Sequence, residues 1–175
     1  MKILTNVELE NSQFEKLNNM ITIKKKAHKL PENLSDIALA NLNDGPDNEP
    51  ARITPFHIDE LEENEVFVFG SNIHGAHGGG AARFAYEHLG AQWGVGEGLT
   101  GKCYALPTME GEESFRQAVE RFLTCAKQHP QKTFLVTPVG CGIAGYTPQQ
   151  VAPWFKEAID IYNIYLPKSF WKVLR

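Results

Sequence analysis

A chain of 175 residues is long enough for one domain with a full core and short for two. Its apolar fraction of 42% and charged fraction of 22% are those of an ordinary globular protein. No apolar run approaches the ~18 residues of a membrane span. The net charge of -4, with a single basic block at Lys24–Lys26, provides no wide basic face for double-stranded nucleic acid.

Cysteine and histidine spacing bears on disulfides and metals. Cys103, Cys125 and Cys141 are widely spaced, which argues against both a disulfide framework and a zinc site. The pair His74-x-x-His77 has no third ligand placed by spacing, so we expect no metal and no cofactor. The first residues lack the apolar segment of a signal peptide, and the sequence predicts a cytoplasmic protein.

The first 50 residues differ in composition from the rest. They are rich in Asn, Lys, Glu and Leu and poor in glycine, and we predict that they form an N-terminal extension packing on the core of a domain spanning 51–175. Within the extension, the predicted elements are strands at Met1–Val7 and Met20–Lys24, a helix at Leu34–Leu42 and an exposed loop at Asp44–Pro50.

From Glu65 onward, short apolar runs typical of buried strands alternate with amphipathic segments typical of helices. In chain order the predicted elements are a strand at Val66–Phe69, a helix at Ala81–Leu89 ended by Gly90, a strand at Cys103–Leu106, a helix at Ser114–Gln128 and a strand at Thr133–Thr137.

A final helix has the clearest start signal in the chain. Thr147 is its predicted N-cap, Pro148 its first residue and Gln150 the partner of the cap. Phe170–Leu174 is a candidate edge strand. Strand–loop–helix units in succession predict an α/β fold with a mostly parallel mixed sheet and right-handed crossovers.

Two glycine-rich loops follow predicted strands. Gly70–Gly80 has five glycines among eleven residues, and Gly140–Tyr146 separates the third strand from the final helix. Ligands of open α/β sheets lie beyond the carboxyl ends of the strands. Glycine lets backbone amides approach an anion, and both loops lead into predicted helix N-termini, so we expect them to hold a diphosphate from two sides. Structural turns are the alternative explanation. The predicted ligand-binding residues are Gly70, Ser71, Asn72, Gly78, Gly79, Gly80, Gly140, Cys141, Gly142, Ile143, Ala144, Gly145 and Tyr146.

These motifs resemble the macrodomain superfamily, and more closely an uncharacterised bacterial branch related to it. The resemblance covers Val66 to Ile159. It rests on a strand followed by Asn72, on Gly78-Gly79-Gly80 leading into Ala81-Ala82, and on the later loop Gly142-Ile143-Ala144-Gly145-Tyr146. The segment Gly94–Leu99 is similar to the family's Gly-Glu-Ala segment. The resemblance implies a three-layer α/β/α fold, ADP-ribose binding and hydrolysis of a bond at the distal ribose.

One departure from the family pattern concerns the base. Members of the family place an Asp against the adenine amino group, whereas Asp36, Asp44 and Asp59 all lack the flanking pattern. The resemblance therefore implies diphosphate and ribose binding and leaves the base open.

Individual side chains have alternative roles. The amide of Asn72 is suited to a ribose hydroxyl or to an Asx turn, and Tyr146 to closing over the ribose or covering the sheet edge. His77 and Glu97 are, with Asn72, the candidate catalytic residues, because hydrolysis needs a positioned water and a proton acceptor. Each could equally be a solvated loop residue.

Cys141 in a glycine loop has two explanations. A cysteine phosphatase would need an Arg about six residues further on to close the anion loop, and that position is Thr147. A small packed residue is the better explanation.

Three functions remain open at this point. The first is a hydrolase that removes ADP-ribose from an acceptor, and the second is a reader that binds free or attached ADP-ribose without turnover. The third is a binder of another phosphorylated nucleotide on the same scaffold. The expected partner is an ADP-ribose-like small molecule or an ADP-ribosylated acceptor, with no membrane or nucleic-acid partner.

Overall fold

Strand β1 (Glu65–Ser71) is the central strand of a five-stranded sheet in a computed structural model that describes residues 52–175. The strand order is β2-β3-β1-β4-β5, and all neighbours are parallel except β2, which runs antiparallel to β3. This confirms the predicted α/β class with a mostly parallel mixed sheet. The other strands are β2 (Gly98–Thr100), β3 (Cys103–Pro107), β4 (Thr133–Val136) and β5 (Ile164–Tyr165). The elements predicted before residue 51 lie outside the described residues.

The helices within residues 52–175 are α1 (Gly80–His88), α2 (Glu112–Gln128), α3 (Pro148–Val151), a 3-10 helix (Ala152–Asp160) and α4 (Lys168–Leu174). Helices α1 and α2 confirm the predicted elements to within two residues. The helix after Thr147 begins at Pro148 as predicted, but Pro153 lacks the amide that would continue the α-helical ladder, and the segment continues as a 3-10 helix. No helix in this part of the chain is long and apolar enough to cross a membrane.

The prediction of an edge strand at Phe170–Leu174 is wrong. These residues lie in α4, whose N-cap is Pro167, and Phe170 and Trp171 are both buried although they are adjacent. Adjacent buried positions fit a helical face, because a strand would turn alternate side chains outward. The edge position next to β4 belongs to β5 instead.

Strand β1 contributes to two hydrophobic clusters because its side chains alternate between the two faces of the sheet. Val66 and Val68 belong to a large cluster with Phe115, Val119 and Phe122 of α2. The intervening side chains of β1, Phe67 and Phe69, belong to a smaller cluster, to which α1 contributes two small buried residues, Ala82 and Ala85.

The connections after β1 and β4 leave the sheet toward opposite faces. After β1 the chain enters α1, which packs with the smaller cluster, whereas Val151 and Phe155 after β4 belong to the large cluster. Because β1 and β4 are adjacent and parallel, this divergence opens a crevice at their carboxyl ends. Open α/β sheets bind ligands at such a switch point.

Candidate functional site

A cavity of about 430 Å³ lies at this crevice and is lined by residues from both glycine-rich loops and from the segment after β3. The lining is made almost entirely of small residues and backbone. The residues are Gly70, Ser71, Asn72, Ala76, Gly79, Gly80, Ala81, Ala82, Thr108, Met109, Thr137, Pro138, Val139, Gly140, Gly142, Ile143 and Ala144.

The side chain of Asn72 closes the turn that begins the first loop. Its Nδ2 donates to the carbonyl of Ala76 at 2.9 Å, and its Oδ1 accepts the Ala76 amide at 3.1 Å. The carbonyl of Asn72 also accepts the amide of Gly75 at 2.9 Å. Asn72 therefore both lines the cavity and fixes the loop, as an Asx residue does.

His77 is a buried residue of the first loop, with 1% of its surface exposed. Its Nε2 lies 3.1 Å from the Gln92 carbonyl and 3.2 Å from the Val95 carbonyl. Since two carbonyls can only accept, Nε2 carries a proton. The ring also packs edge-on against Phe69. His77 thus ties the loop to the segment before β2, and it is absent from the cavity lining.

Glu97 lies away from the cavity as well. Its carboxylate pairs with the guanidinium of Arg121 on α2, with N–O distances of 2.7 and 3.0 Å. The ion pair joins the start of β2 to α2 and raises the pKa of Arg121. Glu97 therefore binds Arg121 of α2 and does not line the cavity.

Several cavity-lining residues of both loops have backbone amides with no acceptor in the part of the chain that the structure describes. The N-cap of α1, Gly79, makes no side-chain cap hydrogen bond, and the amides of Gly80, Ala81 and Ala82 precede the first intrahelical bond, from Arg83 to Gly79. Amides at a helix N-terminus are suited to an anion.

In the second loop, the amides of Gly142, Ile143 and Ala144 have no protein acceptor in the part of the chain that the structure describes. The prediction that the helix after this loop also offers its N-terminus does not fit the geometry. The amide of Thr147 donates to Oε1 of Gln150 at 2.9 Å, and the cavity lining ends at Ala144.

The second loop is anchored on aromatic rings of the large cluster. The ring of Tyr146 packs edge-on against Phe115 and Trp154 at centroid distances of 5.4 and 5.9 Å. Gly140 has a φ of 75°, and a Cβ there would overlap the Phe115 ring, so this position requires glycine. Cys141 packs partly buried against the same cluster, and burial raises the pKa of its thiol, the opposite of what an activated nucleophile needs.

The structure brings most of the predicted ligand-binding residues together and separates the rest. Nine line the cavity, namely Gly70, Ser71, Asn72, Gly79, Gly80, Gly140, Gly142, Ile143 and Ala144. Outside the lining lie Gly78, Cys141, Gly145 and Tyr146, together with the catalytic candidates His77 and Glu97.

Sequence reasoning missed the residues that follow β3. Thr108 and Met109 line the cavity, and Glu110 beside them accepts the amides of Ile73 and Met109 at 2.7 and 3.2 Å. A signal for this wall was present in the sequence. Hydroxyl-bearing residues stand at the carboxyl ends of three adjacent parallel strands: Ser71, Thr108 and Thr137.

Among residues 52–175, the cavity lining contains no Asp, Glu, His, Lys or Arg. In the same part of the chain, no three His, Cys, Asp or Glu side chains come together as metal ligands, and the His74-x-x-His77 pair is divided between an exposed and a buried residue. The site offers backbone amides, hydroxyls and small apolar groups. No protein-family model matches the chain, and no curated protein or solved structure matches it either.

Proposed function

We propose that residues 52–175 bind an ADP-ribose-like nucleoside diphosphate in this cavity, with the diphosphate held by backbone amides of the two glycine-rich loops. The observation that carries the proposal is that both loops line the same cavity, which lies at the carboxyl ends of two adjacent parallel strands. Its volume of about 430 Å³ is within the range of sites that bury a small organic ligand.

The free space at two cavity-lining loop positions supports a ligand rather than turn formation as the reason for glycine. A Cβ at Gly79 or Gly142 would have no heavy atom within 4 Å, and neither residue has a positive φ. Neither backbone conformation nor packing requires glycine there. A glycine without a structural reason leaves room for another molecule to approach the backbone.

We also infer a macrodomain-like, three-layer α/β/α arrangement. It is supported by α1 packing on one face of β1 and α2 on the other. On this proposal the partner is ADP-ribose, free or attached to an acceptor, and the protein acts in the cytoplasm.

Binding without turnover is the function that the geometry supports best. Hydrolysis of an ADP-ribosyl bond needs a group that accepts or donates a proton, and the cavity lining within residues 52–175 has no titratable acid or base. His77 donates to two carbonyls, and Glu97 is paired with Arg121. The positions of these two residues remove the main reason to favour a hydrolase over a reader.

Adjacent glycines provide a matched test. Gly79 lines the cavity and Gly78 does not, a Cβ at either position has open space, and the φ of -152° at Gly79 is extended backbone that valine adopts. By calorimetry with ADP-ribose, Gly79→Val and Gly142→Val should each weaken binding about tenfold or more, and Gly78→Val should stay within about threefold.

The proposal is overturned if the wild-type chain binds neither ADP-ribose nor ADP, or if Gly78→Val weakens binding as much as Gly79→Val. A release assay on an ADP-ribosylated protein then separates reader from hydrolase. We expect no ADP-ribose release above the buffer control, and release by the wild-type chain would establish the hydrolase.

A further inference from the structure

The floor of the cavity has a hollow above Gly70, near the end of β1. A Cβ at this position would lie 3.4 Å from Oγ1 of Thr108 and 3.6 Å from the backbone nitrogen of Gly140. Both are ordinary contact distances, so a methyl group would fit. The absence of a side chain at Gly70 therefore leaves a space of about one methyl group between a hydroxyl and an amide.

The two polar walls of this hollow have unused hydrogen-bonding capacity. Thr108 is buried, and its Oγ1 donates to the Ser71 carbonyl at a long 3.3 Å, which leaves the lone pairs of the hydroxyl oxygen as acceptors. Gly140 is buried too, and its amide has no acceptor among residues 52–175. An amide that the fold leaves without an acceptor is available to a ligand group.

One acceptor and one donor beside the same hollow favour a ligand group that is both donor and acceptor. We propose that this hollow receives a hydroxyl group of the bound nucleotide, which donates to Thr108 Oγ1 and accepts the Gly140 amide. The inference rests on the proposed function, since it assumes that the cavity holds a nucleoside diphosphate. While the Thr108 hydroxyl donates to the Ser71 carbonyl, a phosphate oxygen, which has no hydrogen to donate, makes only the bond to the Gly140 amide, and a carbon-bound hydrogen makes neither bond.

Thr108 is then a specificity-determining residue for the sugar of the ligand. Two sugars carry hydroxyls of this chemistry, the ribose of the nucleoside and a second sugar beyond the diphosphate. ADP-ribose has the hydroxyls of both sugars, and ADP has only those of the nucleoside ribose. The third compound, 2′,3′-dideoxy-ADP, has no second sugar and lacks both hydroxyls of the nucleoside ribose. These three compounds are the probes.

The test is calorimetric titration of the full chain, as wild type, Thr108→Val and Thr108→Ser, with each probe. Valine removes the hydroxyl while keeping the shape, and we expect it to weaken the hydroxyl-bearing ligand about tenfold, whereas serine stays within about twofold of wild type. If the hydroxyl belongs to the second sugar, Thr108→Val weakens ADP-ribose alone. If it belongs to the nucleoside ribose, the variant weakens ADP-ribose and ADP but leaves the dideoxy compound unchanged.

Unchanged affinity of Thr108→Val for all three probes overturns the hydroxyl pocket while leaving the proposed function intact. A wild-type chain that binds neither ADP-ribose nor ADP contradicts the proposed function and this inference together, so the two failures are distinguishable. The fold should survive the substitution, because the Thr108 amide keeps its 2.9 Å bond to the Ser71 carbonyl.

Gly70→Ala is a second, independent variant in case Thr108→Val unfolds. Its methyl group fills the hollow at ordinary contact distances, so the variant should fold and should weaken the hydroxyl-bearing ligand about tenfold. Wild-type affinity of Gly70→Ala for every probe would overturn the inference by itself.

Discussion

The two glycine-rich loops reach the same cavity with different kinds of support. The first loop, 70–80, is held by side chains and by a neighbouring segment of the chain. Asn72 bonds twice to Ala76, and His77 donates to carbonyls of the segment 92–96. Its shape therefore depends on residues that are distant in sequence.

The second loop, 140–146, packs on the aromatic rings of the large cluster, but the hydrogen bonds that hold it come from local backbone. The amides of Cys141, Gly145 and Tyr146 donate to carbonyls three to six residues earlier in the chain, at 2.9 to 3.1 Å. Its tight turns leave three consecutive amides without protein acceptors in the described part of the chain. From this difference we infer that the first loop is a fixed wall of the cavity and the second a more adjustable one, because local turns open at a lower free-energy cost than a cross-braced loop.

The largest effect should come from the brace of the first loop. A Cβ at Gly96 would overlap the carbonyl oxygens of Asn72 and Ile73, which are backbone atoms and cannot rotate away. We expect Gly96→Ala to lower the free energy of unfolding by about 3 kcal/mol in urea denaturation. The matched control is Gly78→Ala, where the methyl group has open space and the change should stay below about 0.5 kcal/mol. Equal stability of the two variants would mean that the segment around Gly96 does not brace the loop.

A smaller effect should follow from removing the buried imidazole. His77→Leu removes the donor to the Gln92 and Val95 carbonyls, of which only Gln92 keeps another donor, the Val95 amide, and we expect a loss of about 2 kcal/mol in the free energy of unfolding. His74→Leu is the control, since His74 is exposed in the same loop and should change stability by less than about 0.5 kcal/mol. If His77→Leu is no less stable than His74→Leu, the claim that His77 braces the first loop more firmly than the second loop is held is contradicted.

Much of the fold could be predicted from the sequence because its signals are local. The run Val66–Phe69 is continuously apolar as a doubly covered strand must be, and Ser114–Gln128 repeats apolar residues at helical spacing. The segment Phe170–Leu174 was predicted wrongly because five apolar or long residues satisfy either period. Its helix depends on Pro167 and on the edge position of the sheet being filled by β5.

The candidate site also has a part that could be predicted from the sequence and a part that could not. Glycine content was enough to place both loops at one crevice, since the carboxyl ends of adjacent parallel strands meet. The partners of His77 and Glu97 could not be predicted, because Gln92 and Arg121 lie 15 and 24 residues away and reach them only through the fold. Thr108 was missed for another reason. Only the sheet order puts the end of β3 beside that of β1.

The smallest effect should come from the end of the second loop. Gln150→Ala removes the acceptor of the Thr147 amide at the start of α3, and we expect a loss of about 1 kcal/mol in the free energy of unfolding. Gln149→Ala is the matched control on the same turn, exposed and outside the capping pair. ADP-ribose affinity should change by less than about twofold in both variants, because no residue of α3 lines the cavity. A loss from Gln150→Ala as large as that from His77→Leu would mean that the second loop is as firmly fixed as the first, because its attachment to α3 would then carry as much stability as the brace does.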